Sequence, residues 1–279
     1  MVTDNTMLSD DKTQLPEDPL ALHAPRLFRA FGWYLRWFFW RNFHAVRIAR
    51  CDIPDVPADW PLIIYANHPS WWDPALFMLL ANTLLQDRTG FGPMEAEALQ
   101  RYKLFRRFGV YGIDTASRQG AARFMAVSLR ILSRPGTALW ITAEGHFSDS
   151  RVRPVRLRPG LAHLARRVPN AVIVPLAIEY TFWNERKPEA LVRFGRPVTV
   201  GDARGHSVAM WNELLEQRLT ETMAALAEDA ISRDPGRFRE VVRGRAGVGG
   251  IYDIWRRLAA LARLRRAQLA HEPRRDGRP

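Results

Sequence analysis

Short apolar runs alternate with longer amphipathic stretches between residues 58 and 203 of this 279-residue chain, and glycine and proline mark many of the joints. The short runs predict strands, and the stretches between them carry hydrophobic positions at helical intervals. Strands are predicted at 61–66, 89–93, 109–114, 137–142, 171–180 and 190–194, and helices at 74–86, 95–107, 117–134 and 159–168. This alternation predicts an α/β fold with a mixed, mostly parallel sheet that is flanked by helices.

The remainder of the chain, residues 204–279, is predicted to be a helical C-terminal extension that ends in a basic tail. A long amphipathic helix is expected at 206–231 and a second one at 250–270. In the second helix the apolar residues share one side, so it can either contact a membrane or dock on the core.

The N-terminal part of the chain changes character abruptly. Residues 1–23 are polar and acidic, which predicts a disordered tail, whereas residues 24–57 form an amphipathic helix region in which aromatic residues alternate with arginines. Such a helix can lie in the headgroup layer of a membrane, with its rings at the interface and its guanidinium groups reaching phosphates. A helix packed on the protein core is the alternative interpretation.

The net charge of +12 indicates an anionic partner, and almost all of the excess is arginine. A membrane surface, a nucleic acid or a phosphorylated substrate would fit. Because no recognised nucleic-acid-binding motif accompanies the charge, we expect an anionic membrane surface and no nucleic acid.

The single cysteine, Cys51, excludes an intramolecular disulfide and fits a reducing compartment. No window of about 20 residues is apolar enough to span a bilayer, and the acidic N-terminus resembles neither a signal nor a transit peptide. These features predict a peripheral protein on the cytoplasmic face of a membrane, without a transmembrane helix.

The most informative segment is Asn67-His68-Pro69-Ser70-Trp71-Trp72-Asp73, which joins a predicted strand to a predicted helix. The Asp73 carboxylate can accept a hydrogen bond from one ring nitrogen of His68, which leaves the other nitrogen free to take a proton. His68 and Asp73 are therefore the candidate catalytic residues.

A second candidate segment, Glu144-Gly145-His146-Phe147-Ser148, follows the strand at 137–142. In open α/β sheets ligands bind beyond the carboxyl ends of the strands, so Glu144 is expected to converge with His68. A carboxylate there can hold a substrate hydroxyl, and Gly145 can let a substrate approach the backbone. Two further segments, ending at Asp114 and containing Val174 and Pro175, are interpreted as pocket or structural elements, and the proline indicates an edge strand or a bulge.

These segments, in this order, resemble the glycerolipid acyltransferase family, whose best-known members are the 1-acylglycerol-3-phosphate acyltransferases. The family's motifs are matched at Asn67, His68 and Asp73, at Glu144, Gly145 and Ser148, at Val174 and Pro175, and partly at Asp114. The resemblance covers about residues 58–200, which we therefore predict to be the core of a catalytic domain at 58–203.

The resemblance implies that His68 removes the proton of an acceptor hydroxyl, which attacks an acyl thioester directly. Acyl-CoA or acyl carrier protein would be the co-substrate, and neither a cofactor nor a metal is expected. Glu144, Gly145 and Ser148 would bind the lipid acceptor, and Ser70, Trp71 and Trp72 would line the pocket or serve the structure. His146 is an unusual residue in its motif, and it is either a polar pocket residue that contacts the acceptor or a solvated loop histidine. The oxyanion would need donors, for which the backbone N–H groups at the start of the helix at 74–86 are one candidate, and the sequence leaves their identity open.

Two departures from the family pattern bear on the acceptor. Members that take glycerol phosphates carry arginines where this chain has Thr115 and Phe147. Arg118, Arg151 or Arg153 could compensate, but the loss indicates a less anionic acceptor, such as a lysophospholipid or a related membrane lipid. A non-phospholipid alcohol such as a glycosylated carotenoid is the alternative acceptor, and a catalytically inactive lipid-binding protein of the same fold is the alternative function.

Overall fold

A computed structural model describes residues 18–50, 55–203 and 205–244. The sheet strands are β1 (Ala45–Ala49), β2 (Leu62–Ala66), β3 (Thr89–Glu95), β4 (Val110–Ile113), β5 (Thr137–Thr142), β6 (Val172–Thr181), β7 (Glu189–Phe194), β8 (Val198–Thr199) and β9 (Phe238–Arg243). The helices are α1 (Pro19–Leu22), α2 (Pro25–Asn42), α3 (Asp73–Leu84), α4 (Ala96–Arg101), α5 (Arg118–Leu132), α6 (Gly160–Ala165) and α7 (Val208–Ser232). Short 3₁₀ segments lie at Lys103–Phe108, Val200–Ala203 and Pro235–Arg237.

The strands form one sheet in the order β4-β3-β5-β2-β6-β7-β1-β9, and β8 pairs with β6 beside β7. The pairs from β4 to β6 and the pair β1–β7 are parallel, whereas β6–β7, β6–β8 and β1–β9 are antiparallel. The prediction of a mixed, mostly parallel sheet with flanking helices is therefore confirmed.

Helices cover both faces of the sheet, as the continuous burial of its strands requires. One core lies between the sheet and α5, α6 and α7, and the other lies between the sheet and α2, α3 and α4. All five residues of the central strand β2 are buried, which explains its uninterrupted apolar sequence. Because β2 to β6 are parallel, their carboxyl ends meet at one edge of the sheet, and the connections after β2, β4 and β5 lie there.

Pro175 lies inside β6, which is not an edge strand, so that part of the prediction was wrong. Residues 172 and 173 of β6 pair with β8, and residues 176–181 pair with β7. Pro175 lies between the part of β6 that pairs with β8 and the part that pairs with β7. The N–H that a proline lacks would therefore not have formed a hydrogen bond to either strand. Its carbonyl oxygen accepts a hydrogen bond from the N–H of Gly195 (2.9 Å).

Several predicted boundaries were wrong. The helix predicted at 95–107 is broken at Tyr102 into α4 and a 3₁₀ segment. The helical interpretation of 24–57 missed β1, and the helical interpretation of 204–279 missed β9, which pairs with β1. The predicted helix at 250–270, the basic tail and Cys51 lie outside the described residues.

Part of the predicted disordered tail is ordered. Asp18 caps α1 by accepting a hydrogen bond from the N–H of Leu20 (3.2 Å), and its carboxylate pairs with Arg130 of α5 (2.7 Å). Residues 18–23 therefore belong to the folded structure, while residues 1–17 lie outside the described part of the chain.

Helix α2 has two different faces. Leu35 and Phe39 are buried in the core shared with α3, whereas Trp33 is 80% exposed and Tyr34 and Trp37 are about half exposed. In the ranges that the structure describes, no helix is both long and apolar enough to cross a membrane.

Candidate active site

His68 and Asp73 form a hydrogen-bonded pair at the carboxyl edge of the sheet. His68 follows β2, Asp73 is the first residue of α3, and the distance from His68 Nδ1 to Asp73 Oδ2 is 2.7 Å. The Asp73 side chain is fully buried, whereas the His68 side chain is 16% exposed. Because a carboxylate can only accept, Nδ1 carries the proton, and Nε2 is the nitrogen that can accept one from a substrate.

The Asp73 carboxylate is held on both oxygens. Oδ2 also accepts the backbone N–H of Ser70 (3.2 Å), and Oδ1 accepts the hydroxyl of Tyr180 at the end of β6 (2.8 Å). Burial raises the pKa of Asp73, and the hydrogen bonds from His68, Tyr180 and Ser70 oppose that shift by stabilising the carboxylate. Sequence reasoning missed Tyr180, although its position at the carboxyl end of a predicted strand was a usable signal.

Asn67 fixes the turn that carries His68. Its side-chain amide donates to the carbonyl of Ile178 (2.9 Å), and its oxygen accepts the N–H of Ile178 (2.8 Å). These two bonds extend the β2–β6 pairing one step beyond Ala66 through a side chain. An asparagine supplies both the donor and the acceptor, so Asn67 is a structural element of the site.

The loop after β5 lies against His68. The N–H of Ser148 donates to the carbonyl of His68 (3.0 Å), and the ring centroids of Phe147 and His68 are 4.3 Å apart. His146 is exposed, and its Nδ1 lies 3.0 Å from the carbonyl oxygen of Glu144. The structure thus brings the loops of the two candidate motifs together.

Glu144 is a buried carboxyl group, with only 5% of the residue exposed. Its Oε2 is buried and has no hydrogen-bond partner among the residues that the structure describes. Burial raises the pKa of Glu144, and the Ser148 side chain together with the charges of His146, His68 and Arg153 opposes the shift. An oxygen in this state can accept a hydrogen bond from a substrate hydroxyl.

Gly145 is required by the local structure of the loop, whether or not it also lies close to a substrate. Its φ is +70°, and a Cβ there would lie 2.3 Å from Nε of Arg158. The Arg158 side chain packs against the backbone of Gly145, and its guanidinium donates a hydrogen bond to the carbonyl of Thr115 (2.7 Å). Gly145 therefore permits a left-handed turn and the passage of Arg158, which joins the loops after β4 and β5.

The two tryptophans of the first motif have different environments. Their rings stack with centroids 4.0 Å apart, and Trp71 is 64% exposed at the mouth of the site. Trp72 packs against Phe38 of α2 (4.9 Å) and Phe43 (5.3 Å). Trp71 can contact a ligand, whereas Trp72 anchors the start of α3 to α2.

The remaining candidate site residues lie in the turns, helices and strands around the site. Asp114 is exposed after β4, and its Oδ1 accepts the N–H of Ala116 (3.0 Å), while hydrogen bonding by Ser117 and Ala116 lowers its pKa. Arg118 is exposed at the first position of α5, and Val174 is 2% exposed within β6. Ser70 shapes the turn before α3 by accepting the N–H of Trp72 on its hydroxyl (3.4 Å).

The arginines of the loop after β5 also have partners. Arg151 makes two side-chain bonds to Asp149 (2.8 and 2.7 Å), and Arg153 donates to the carbonyls of Ser150 and Val152 in its own loop. Arg151 is thereby neutralised locally, which reduces its capacity to bind a substrate phosphate.

The start of α3 offers few backbone N–H groups that could serve as oxyanion donors. The N–H of Asp73 bonds to the carbonyl of Ser70 (3.2 Å), the N–H of Leu76 bonds to that of Trp72 (3.0 Å), and Pro74 has no N–H. This leaves Ala75 as the donor that the first turn can contribute.

Comparisons with known proteins bear on the family and on the fold. Residues 47–179 match the sequence model of the family described as Acyltransferase. A solved structure with the same fold is the 1-acyl-sn-glycerophosphate (LPA) acyltransferase PlsC from Thermotoga maritima, with a TM-score of 0.51 and 15% sequence identity. The match covers 74% of this chain and 79% of that one. No curated protein sequence matches the chain.

The matched range contains both members of the His68–Asp73 pair and Glu144, and it extends to Glu179 beside Tyr180. The family match therefore includes both candidate motifs. Residues 47–179, which are 133 of the 279 residues of the chain, are thus similar to the Acyltransferase family, and the fold is shared with PlsC.

Proposed function

We propose that this protein is a peripheral membrane O-acyltransferase that moves a fatty acyl group from acyl-CoA or acyl carrier protein to a hydroxyl of a lysophospholipid or related membrane lipid. The observation that carries the proposal is the 2.7 Å contact between His68 Nδ1 and the buried Asp73 carboxylate. This contact orients a ring whose second nitrogen is available for proton transfer at the mouth of the site.

The proposed reaction needs no covalent enzyme intermediate. Nε2 of His68 takes the proton of the acceptor hydroxyl as the oxygen forms a bond to the thioester carbonyl carbon. The resulting tetrahedral intermediate collapses with cleavage of the carbon–sulfur bond, and the protonated ring returns the proton to the leaving thiolate. The electron pair of the broken bond stays on sulfur, so the products are an ester and a free thiol.

The acceptor is proposed to be less anionic than a phosphomonoester. Glu144 offers a buried carboxyl oxygen that can hold a second hydroxyl of the acceptor. The exposed ring of Phe147 lies beside His68, at a motif position where a cationic side chain would be needed to bind a phosphomonoester. Arg151, which could supply a positive charge nearby, is paired with Asp149. The exposed rings of Phe147 and Trp71 also favour the alternative acceptor, a glycosylated lipid alcohol such as a glycosylated carotenoid.

The test is acyl transfer by the purified full chain. The protein is mixed with radiolabelled acyl-CoA or acyl carrier protein and with vesicles that contain one acceptor each: lysophosphatidic acid, a zwitterionic lysophospholipid or a glycolipid with free hydroxyls. We expect thiol release coupled to an acylated lipid that mass spectrometry identifies, with lysophosphatidic acid the poorest acceptor.

A strong preference for lysophosphatidic acid would reject the proposed acceptor class while leaving the reaction intact. The absence of thioester consumption with every acceptor and with a total lipid extract would instead favour the inactive lipid-binding protein.

Membrane binding is proposed to use the outer face of α2. We define the aromatic face of α2 as Trp33, Tyr34 and Trp37, which are exposed side by side on the helix surface opposite the core. The guanidinium of Arg41 lies 5.9 Å from the Trp37 ring. Exposed indoles next to guanidinium groups suit the headgroup layer of an anionic bilayer.

We expect the double variant Trp33→Ala/Trp37→Ala to bind anionic vesicles about tenfold more weakly, because the interfacial contact loses two large apolar rings. Cosedimentation with vesicles containing phosphatidylglycerol measures the effect. The matched control is Trp60→Ala, which removes an exposed tryptophan in the segment before β2, outside α2. Equal loss in both variants, or no loss in the double variant, would contradict this surface.

A further inference from the structure

Tyr180 lies near the end of β6, where the strand passes the His68–Asp73 pair. It pairs with Ala190 of β7 in the sheet, and its ring is on the side that α2 and α3 cover. The ring packs 5.9 Å from that of Phe43, which itself contacts Trp72. The position of the phenol is thus fixed by the strand and by an aromatic neighbour.

The Tyr180 hydroxyl is 2.8 Å from Asp73 Oδ1, the carboxylate oxygen that His68 does not contact. An ionised carboxylate accepts only, so the phenol is the donor. The other oxygen receives Nδ1–H of His68 and the N–H of Ser70. Asp73 is fully buried, so these groups take the place of water around its charge.

We propose that Tyr180 is a positioning residue of the acyltransferase, which acts through Asp73 by keeping that carboxylate ionised and aimed at Nδ1 of His68. Rotation of the carboxylate would exchange the oxygen that His68 contacts, and the bond from Tyr180 to Oδ1 opposes that rotation. The tyrosine is therefore not a catalytic residue itself. The inference rests on the proposed function, since it assigns a role within that reaction.

The electrostatics of the pair agree with this role. Burial raises the pKa of Asp73, and the bond from Tyr180 is one of the contacts that lower it. The pKa of Tyr180 is raised well above its ordinary value by burial and by the charge of Asp73, so the phenol keeps its proton. His68 and Tyr180 are the titratable groups that face Asp73, and Glu144 in turn faces His68.

Removal of the Tyr180 hydroxyl should shift the pH dependence of the reaction in a defined direction. We call the pair of His68 and Asp73 the dyad. The dyad is active when Asp73 is ionised and Nε2 of His68 is free, and it is inactive when it holds one more proton. Without the donor from Tyr180 the carboxylate becomes a better proton acceptor, so the dyad keeps the extra proton to a higher pH. Glu144 is unchanged between the two proteins, so the difference between their profiles reports on the dyad.

The test is Tyr180→Phe, which keeps the ring and removes only the hydroxyl. We expect kcat to fall about tenfold with little change in KM, and the acid limb of the kcat profile to move to higher pH. The His68 ring C–H resonance, followed by NMR against pH, should move in the same direction, and this measurement needs no turnover. Unchanged kcat and an unchanged NMR titration would overturn the role of Tyr180.

Two controls separate positioning from packing. Tyr111 of β4 has a buried hydroxyl that is hydrogen-bonded to Oγ of Ser128 (2.7 Å) on α5. The Tyr111→Phe variant removes only this hydroxyl, and we expect it to keep the kcat and the pH dependence of the wild type. In an Asp73→Asn background, Tyr180→Phe should change kcat by less than about twofold, because the charge it supports is gone. A full tenfold loss in that background would show that Tyr180 acts by another route. Wild-type protein without acyl transfer would instead refute the proposed function.

Discussion

His68→Ala is expected to abolish measurable acyl transfer, with kcat falling by roughly 10³-fold or more, because an alcohol is a poor nucleophile without a base to take its proton. The variant should remain folded. The Asp73 carboxylate that loses its histidine keeps two donors, the hydroxyl of Tyr180 and the N–H of Ser70. Thiol release from acyl-CoA and mass spectrometry of the lipid product measure the loss.

The matched control for this variant is His163→Ala, which truncates a partly buried histidine on α6. Both variants should keep the circular dichroism and the vesicle binding of the wild type, and only His68→Ala should lose turnover. Turnover within about threefold of wild type in His68→Ala would remove general-base catalysis by this residue from the mechanism.

β2 and β5 were predicted correctly because their sequences are mainly apolar. β2 and β5 are buried along nearly their whole length, so every residue carries the same signal. β1 was missed because Arg47 stands at its centre. The structure shows that Arg47 is 2% exposed and paired with Glu189 and Glu240. Its partners are more than 140 positions away, and local sequence reasoning has no access to such a pairing.

The hydrogen-bonded pair of His68 and Asp73 was predictable because its members are five positions apart in one connection. The strand before it and the helix after it fix the geometry of that connection. Tyr180, by contrast, is 107 positions from Asp73, and the bond depends on β6 lying next to β2. Asn67 was recognised by its motif, but its bonds to Ile178 require the same neighbouring strand. Contacts across the sheet were therefore the part that the sequence could not supply.

The two interpretations of the N-terminal helix turn out to be compatible. Phe38 of α2 and Phe43 after it contact Trp72, the residue immediately before Asp73, while Trp33 and Trp37 remain exposed. One helix thus packs on the core beside the dyad and presents aromatic residues outward. Membrane contact through α2 would place the mouth of the site close to the lipid surface.

Glu144→Gln is expected to lower kcat/KM about 100-fold, because an amide cannot supply the charge-assisted hydrogen bond that a carboxylate offers to an acceptor hydroxyl. The loss should appear mainly with acceptors that carry a second hydroxyl. The matched control is Glu228→Gln on the exposed surface of α7, which should keep wild-type kinetics. Equal activity of Glu144→Gln and wild type towards every acceptor would exclude Glu144 from acceptor binding.

The same substitution should stabilise the fold at neutral pH, in the direction opposite to its effect on activity. Burial raises the pKa of Glu144 above its ordinary value of 4.5, so the folded state binds the proton more tightly than the unfolded state does. At pH values below 4.5 the Glu144 carboxyl is protonated in both states, so it does not lower the free energy of unfolding of the wild type. As the pH rises through the raised pKa, the free energy of unfolding of the wild type falls, whereas that of the Glu144→Gln variant does not. Denaturant unfolding at about pH 4 and about pH 7 should therefore give similar midpoints at the lower pH and a higher midpoint for the variant at the upper pH. A gain in stability paired with a loss of turnover is the combination expected of a carboxylate that is held in a costly buried state to bind a substrate.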